Sequence, residues 1–192
     1  TLLKSEENFY SNNTISKDME IDINQNNEVN IVDTDTIKNM KQSIDEIIKK
    51  YEKIEMKLKK VLNTVAWDGR WYKRAFDDDG KEIGSIKNEE CKIDSIAQSW
   101  SVISNAGDND KKYIALESAE KYLIDNENNL IKLLTPSLEN TNLGYITSYP
   151  KGTRENGGQY THSAIWLLIA EILMNSNNMA YDIYKKINPI EH

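Results

Sequence analysis

The sequence predicts an all-α fold whose chemistry is carried on the loops between helices. Two patterns predict the class. Ile37, Met40, Ile44, Ile47, Tyr51, Ile54, Leu58, Val61 and Val65 recur in alternating steps of three and four, a heptad seam along a single helix. Residues 162–174 are apolar almost all round, the pattern of a helix buried on most of its sides. A third observation concerns function: the aromatic, Arg and Gly residues concentrate between the periodic stretches, where loops carry binding and catalytic groups.

Each element follows in order. Residues 1–32 are polar and Asn-rich with no sustained period. Such a segment buries too little apolar surface to offset its ordering entropy, so it reads as tail, linker or irregular wrapping. One domain is expected over residues 33–192. Asp33, Thr34 and Asp35 supply N-cap chemistry for the seam helix, which is expected to pack its stripe on other helices or to form a coiled coil. Residues 67–84 are turn-rich and aromatic; Asp77, Asp78, Asp79 and Gly80 read as a tight turn between two short strands. Helical periodicity returns over 96–104 and again over 110–124. Asn126 to Asn129 break the pattern, the apolar stretch 130–134 is short, and Pro136 ends it. Residues 141–158 hold five of the chain's Gly and Pro positions (Gly144, Pro150, Gly152, Gly157 and Gly158) and read as loop. After the apolar helix, Asn175 to Asn178 introduce a last helix to about Ile187, closed by Asn188 and Pro189. The expected total is five or six helices with long loops.

Composition narrows the function classes. The 24 Lys and Arg against 31 Asp and Glu leave a net charge of −7, which argues against nucleic acid or an anionic membrane as partner. A single Cys excludes an internal disulfide and a Cys-based metal site, and two His leave little for a His-rich one. No basic stretch followed by an apolar one opens the chain, and no apolar run reaches the roughly 20 residues of a membrane helix. The cytoplasm is the default compartment. Residue 1 is Thr rather than Met, so the chain is expected to be processed or a piece of a longer one.

Three clusters could carry chemistry. Asp68 stands between Trp67 and Gly69 with Trp71 close behind. Apolar ring faces disfavour an ionised carboxyl, which suits a general acid, and indole faces stack on sugar rings. Equally, Asp68 could be a turn residue and the Trp residues core. The run Arg154-Glu155-Asn156-Gly157-Gly158-Gln159-Tyr160-Thr161-His162 ends where the apolar helix begins, and a helix N-terminus favours an anion. Gly157 and Gly158 would let backbone approach a ligand, and His162 adds a donor for phosphate. The same run also reads as a glycine loop with a capping Thr161 and a satisfied His. Glu89, Glu90 and Asp94 could hold a cation, but their spacing fits no EF-hand loop and reads as a solvated acidic face. No metal site, P-loop or dinucleotide fingerprint is assigned.

Several segments carry a resemblance: WDGRWYKRAFDDDGKEIGS, NEECKIDSIAQSWSVIS, LLTPSL, GYITSYPKGTRENGGQYTHSAIW and the ending INPIEH, in this order over about residues 61–192. Together they resemble the glycoside hydrolase family 94 phosphorylases. RENGGQYTH, with IDSIAQSW upstream, is most similar to the β-1,2-glucan branch, which contains oligoglucan phosphorylases and the C-terminal region of cyclic β-1,2-glucan synthases. Cellobiose and cellodextrin phosphorylases are the next alternative.

The resemblance implies an (α/α)6 toroid, of which this chain would be the later part. It implies inverting phosphorolysis of β-glucosides, or the reverse synthesis, with inorganic phosphate as a substrate, α-glucose 1-phosphate as product and no cofactor. An inverting hydrolase needs an acid and a base. Phosphate is already an anion, so one acid suffices. By resemblance, Asp68 is the general acid, His162 a phosphate ligand, Glu155 a hydrogen-bond partner of the sugar, and Arg154 and Gln159 line the same pocket. Trp67 and Trp71 would shape sugar subsites. A second phosphate-binding loop would lie beyond INPIEH. The implied partners are β-glucan oligosaccharides and phosphate, with a second copy or the rest of a longer enzyme completing the molecule. The alternative is a non-catalytic carbohydrate-binding or interaction remnant that uses the heptad seam to oligomerise.

Overall fold

A computed structural model of the chain describes residues 20–23, 29–32 and 34–190. Asp33, the first of the expected capping residues, lies outside them. The chain divides into two units, Thr1–Glu55 and Met56–His192.

In the first unit, β1 (Glu20–Ile23) pairs antiparallel with β2 (Val29–Val32), Ile21 opposite Ile31. The sequence pattern predicts no regular element there. Short β-branched runs such as Ile21, Ile23, Val29, Ile31 and Val32 suit extended backbone without showing a long-range period. Helix α1 (Thr34–Thr64) begins in this unit and ends in the next. Its heptad seam was expected to pack on other helices. Instead Met40, Ile44, Ile47, Tyr51 and Leu58 are more than half exposed. The periodicity made the helix, and no described element covers its stripe.

The second unit begins with a hairpin, β3 (Ala75–Phe76) paired with β4 (Glu82–Ile83). The Asp77 carboxylate accepts the N–H groups of Asp79 and Lys81 across the turn, which is the role its Asp-Gly composition predicts. β5 (Ile93–Asp94) leads into α2 (Ser95–Ile103), followed by α3 (Asn109–Leu123). Next come β6 (Ile124–Asp125), β7 (Leu130–Ile131) and β8 (Leu134–Thr135), with β6 on β7 and β5 on β8. A single 3-10 turn, Gly144–Ser148, interrupts the long loop before α4 (Thr161–Leu173) and α5 (Asn177–Ile187).

Among the described residues the regular structure is therefore mostly helical, five α-helices with two-residue ladders between them in the second unit. Helix α4 packs on α2 and α5, and α3 packs on α2. The main core joins Trp71, Ile93, Val102, Leu116, Leu123, Ile131, Leu167 and Ile183. Each fully buried Leu or Ile contributes roughly 1.5–3 kcal/mol. Helix α4 was expected to be buried on most sides. Ala164, Leu167 and Ala170 are buried, whereas Ile165, Ile172 and Leu173 form an exposed flank. A smaller cluster of Cys91, Leu134, Leu138 and Ile146 closes the loop side. Burial pushes the Cys91 thiol up to about 12, so it is an inert core group. Among the described residues no helix is long and apolar enough to cross a membrane.

Candidate active site

Asp68 lies just past the end of α1, on a tight turn in which its N–H donates to the carbonyl of Trp71 at 2.9 Å. Its Oδ2 accepts the N–H of Ile86 at 2.5 Å. The Lys73 ammonium stands 4.0 Å from Oδ1, with only 7–8% of either side chain exposed. Lys73 also donates to Glu82 at 2.6 Å, which holds that carboxyl down at about 2. The nearest polar neighbours of Asp68 are thus an amide and an ammonium rather than indole faces. Lys73 has no signal of its own in the sequence, because its role depends on the β3–β4 hairpin folding back.

The two Trp residues separate in role. Trp67 is half-buried, edge-on to Tyr72 with centroids 4.9 Å apart, and Lys111 reaches to 5.9 Å over its ring. Trp71, expected to shape a sugar subsite, is instead a core residue at 2% exposure. Its indole N–H is committed to the carbonyls of Gly84 and Lys92, both at 2.9 Å. An apolar ring with a satisfied N–H is most stable inside, and here the core receives it.

The acidic cluster also departs from its surface reading. Asp94 is buried, caps α2 by accepting from the Ile96 N–H at 2.8 Å, and pairs with Arg74. Burial raises its carboxyl, opposed by the Arg74 charge. Glu90 accepts the N–H groups of Glu139, Asn140 and Thr141, which hold it down at about 2. These carboxylates therefore tie loops together. Among the described residues no three His, Cys, Asp or Glu converge to hold a metal ion.

The second motif run folds around Asn156, which is fully buried. Its side chain accepts from the Leu138 N–H at 2.6 Å and donates to the carbonyls of Leu138 and Tyr149. Gly157 has φ +80°, and a Cβ there would lie 2.2 Å from Ser137 Oγ. One at Gly158 would lie 2.8 Å from the Gly152 carbonyl. These glycines were expected to admit a ligand. They admit the protein's own loop instead. Arg154, also left-handed at φ 51°, places its guanidinium over the Tyr149 ring at 4.9 Å, with Nε 3.7 Å from Glu155. Glu155 receives the Tyr145 hydroxyl at 3.4 Å. Its Oε2 is buried and without a hydrogen-bond partner. The Glu155 charge raises the Tyr145 hydroxyl, and Tyr149 raises Arg154. Gln159 spends its carbonyl on the Ile131 N–H at 2.8 Å.

Helix α4 starts at Thr161 with Tyr160 as N-cap and no side-chain cap bond, so Thr161 does not cap it. His162 is exposed in the first turn, edge-on between Tyr160 at 4.4 Å and Trp166 at 4.7 Å. An imidazole held there beside free helical N–H groups suits an anion. The structure thus gathers Arg154, Glu155 and, through Tyr160, His162 with a ring of tyrosines. It places Asp68, Trp67 and Lys73 together on the α1–β4 side. Tyr145 and Tyr149 carry no signal of their own in the sequence beyond lying within one loop of Arg154 in GYITSYPKG.

Fold and site define an all-α protein with acid and arginine groups on its loops and a histidine in the first turn of α4. The chain belongs to the glycosyl hydrolase 94 superfamily, whose catalytic-domain model matches residues 32–192. It is 43% identical over 137 residues to the cyclic beta-(1,2)-glucan synthase NdvB of Rhizobium meliloti (strain 1021), covering 70% of this chain and 5% of that protein. It is 30% identical over 137 residues to the solabiose phosphorylase of Paenibacillus borealis, covering 71% of this chain and 18% of that one. The N,N'-diacetylchitobiose phosphorylase of Vibrio furnissii is 26% identical over 144 residues, covering 74% and 18%. The chain therefore spans less than a fifth of the length of these relatives.

Proposed function

We propose that this chain is part of a glycoside phosphorylase catalytic domain that cleaves or forms β-glucosidic bonds, with β-1,2-glucan oligosaccharides and inorganic phosphate as substrates. In this reading residues 33–192 form the later part of an (α/α)6 toroid. The branch assignment rests on the similarity to the cyclic glucan synthase. Asp68 protonates the glycosidic oxygen as the bond to the anomeric carbon breaks. Phosphate attacks from the opposite face, inverts that carbon and leaves α-glucose 1-phosphate. No protein base is needed, because phosphate is already anionic, and no cofactor enters. Glu155 accepts a sugar hydroxyl, Arg154 and Gln159 border it, and Trp67 offers a ring face. His162 receives phosphate at the start of α4. Trp71 supports the Asp68 turn from the core.

The observation that carries this reading is the Glu155 carboxyl: its buried Oε2 accepts no hydrogen bond and has only the Arg154 guanidinium at 3.7 Å, with tyrosines beside it, in the loop that leads to His162. A sugar hydroxyl would supply the hydrogen bond it lacks.

The test is phosphate-dependent release of α-glucose 1-phosphate from β-1,2-gluco-oligosaccharides, with cellobiose alongside. Asp68→Asn is expected to cut the rate by about 10²–10⁴-fold while the protein stays folded. Release from cellobiose alone would reassign the linkage. A folded chain that binds oligosaccharide without releasing product would be a non-catalytic remnant.

A further inference from the structure

A cluster of carboxyl groups lies apart from the candidate active site. Glu117 and Glu120 on α3 and Glu171 on α4 line a cavity of about 470 Å³ that reaches the α4–α5 turn. No Lys, Arg or His is among its lining residues, while Ile114, Leu116 and Met174 give it hydrocarbon walls. Glu171 is 1% exposed, and its Oε1 has no hydrogen-bond partner. The carboxyl otherwise bonds the Ser176 hydroxyl and shares a hydrogen bond with Glu120, so Oε1 is the buried acceptor with room for a further donor.

The chemistry of the missing donor is constrained. A metal ion is a poor match, because no three acidic, His or Cys side chains among the described residues converge to hold one, and Ile114, Leu116 and Met174 make part of the wall apolar. A purely apolar ligand would leave Glu171 Oε1 without a partner. We propose that this cavity binds an aliphatic primary ammonium, its head between Glu120 and Glu171 and its stem along Ile114, Leu116 and Met174. The ammonium supplies up to three donors, and its bonds to carboxylates are charge-assisted. The stem removes apolar wall from water.

Protonation follows from the same arrangement. The titratable groups lining the cavity are Tyr113, Glu117 and Glu120 from α3 and Glu171 from α4. Burial, and then the Glu120 charge, hold the Glu171 carboxyl up at about 7; burial and Glu117 raise Glu120. A bound ammonium favours the ionised form of Glu171, so binding below neutral pH releases a proton and strengthens as pH rises towards 7.

The experiment is calorimetric titration of the full chain with n-pentylammonium and with cadaverine at fixed ionic strength. Sodium and calcium serve as controls, in two buffers of different ionisation enthalpy. One saturable site is expected, with proton release at pH 6 and little at pH 8. Glu120→Gln and Glu171→Gln should each weaken it at least about tenfold, the loss of one charge-assisted bond. Ile114→Ser should weaken pentylammonium binding. No saturable binding by folded protein, equal binding of calcium, or affinity unmoved by both Gln variants would overturn the proposal. Should a Gln variant fail to fold, carboxyl chemical shifts of the native chain decide. Amine-dependent shifts at Glu120 and Glu171 support the site, and shifts confined elsewhere sink it. None of these readouts depends on phosphorolysis.

Discussion

At the scale of single residues, burial decides which charged groups are anchors and which are loads. Glu90, Glu82 and Asp125 are held below the usual carboxylate range by N–H groups or Lys ammoniums, so each stabilises the fold once ionised. Glu171 runs the other way. Its folded carboxyl titrates at about 7 against 4.5 when unperturbed, so between those values the folded chain binds a proton that the unfolded chain has lost. Stability from this group is fully present below about pH 4.5, declines as pH rises through the window, and is gone above about 7. The difference corresponds to roughly 3 kcal/mol. Glu171→Gln should remove that decline. Against the native chain in urea unfolding, the variant is expected to be the more stable at pH 8, by about 1–3 kcal/mol, and about equal at pH 4. Parallel pH profiles for the two proteins would show that Glu171 is not buried as a neutral group.

At the scale of elements, the start of α2 shows how one carboxylate serves two structures. Asp94 caps the helix through Ile96 N–H and faces Arg74 across the hairpin. Asp94→Asn keeps an acceptor for the cap and loses the charge; Asp94→Ala loses both and strands Arg74. The Ala variant should cost about 3–5 kcal/mol and the Asn variant about 1 kcal/mol less, the value of the cap. Equal losses in the two variants would mean that the cap contributes nothing. Asp94 also marks the limit of what was legible in the sequence. Helices α2 to α5 fall within a residue or two of their periodic patterns, because amphipathic spacing and turn residues act locally. The β3–β4 hairpin was legible through its Asp-Gly turn. The β5–β8 ladder was not, since Ile93 meets Thr135 only after α2 and α3 have folded. The same reason hid the depth of Asp94 and Trp71, which look like surface acid and sugar platform when read with their neighbours alone. Asp68, Arg154, Glu155 and His162 were legible as candidates because each sits in a short run of unusual chemistry. Lys73, Tyr145 and Tyr149 join them only through the fold.

At the scale of the whole molecule, stability is expected to reside in the second unit. Both apolar clusters draw every member from residues between Trp71 and Ile187. The end of α1 is tied to that core by Asn63. Its side chain donates to the Ala106 carbonyl at 2.9 Å and accepts from the Tyr72 hydroxyl at 2.9 Å and the Asp108 N–H at 2.8 Å. Burial is the main reason the Tyr72 hydroxyl is raised, so it stays a neutral donor at any ordinary pH. Along the earlier turns of α1 the apolar seam of Met40, Ile44, Ile47 and Tyr51 faces solvent. A helix in that state relies on local propensity, which is marginal in water. A chain starting at Met56 keeps Asn63 and both clusters and sheds exposed Met40, Ile44, Ile47 and Tyr51. It should unfold in one cooperative transition with a Tm within a few degrees of the full chain. It should also stay monodisperse at concentrations where the full chain self-associates through its exposed stripe. Asn63→Ala in the shortened chain is the complementary measurement. Stranding the buried Tyr72 hydroxyl should lower its stability by about 1–3 kcal/mol, the cost of leaving a buried polar group unpaired. A broad, non-cooperative melt of the shortened chain with Asn63 intact would place part of the stability in the first unit and refute this division.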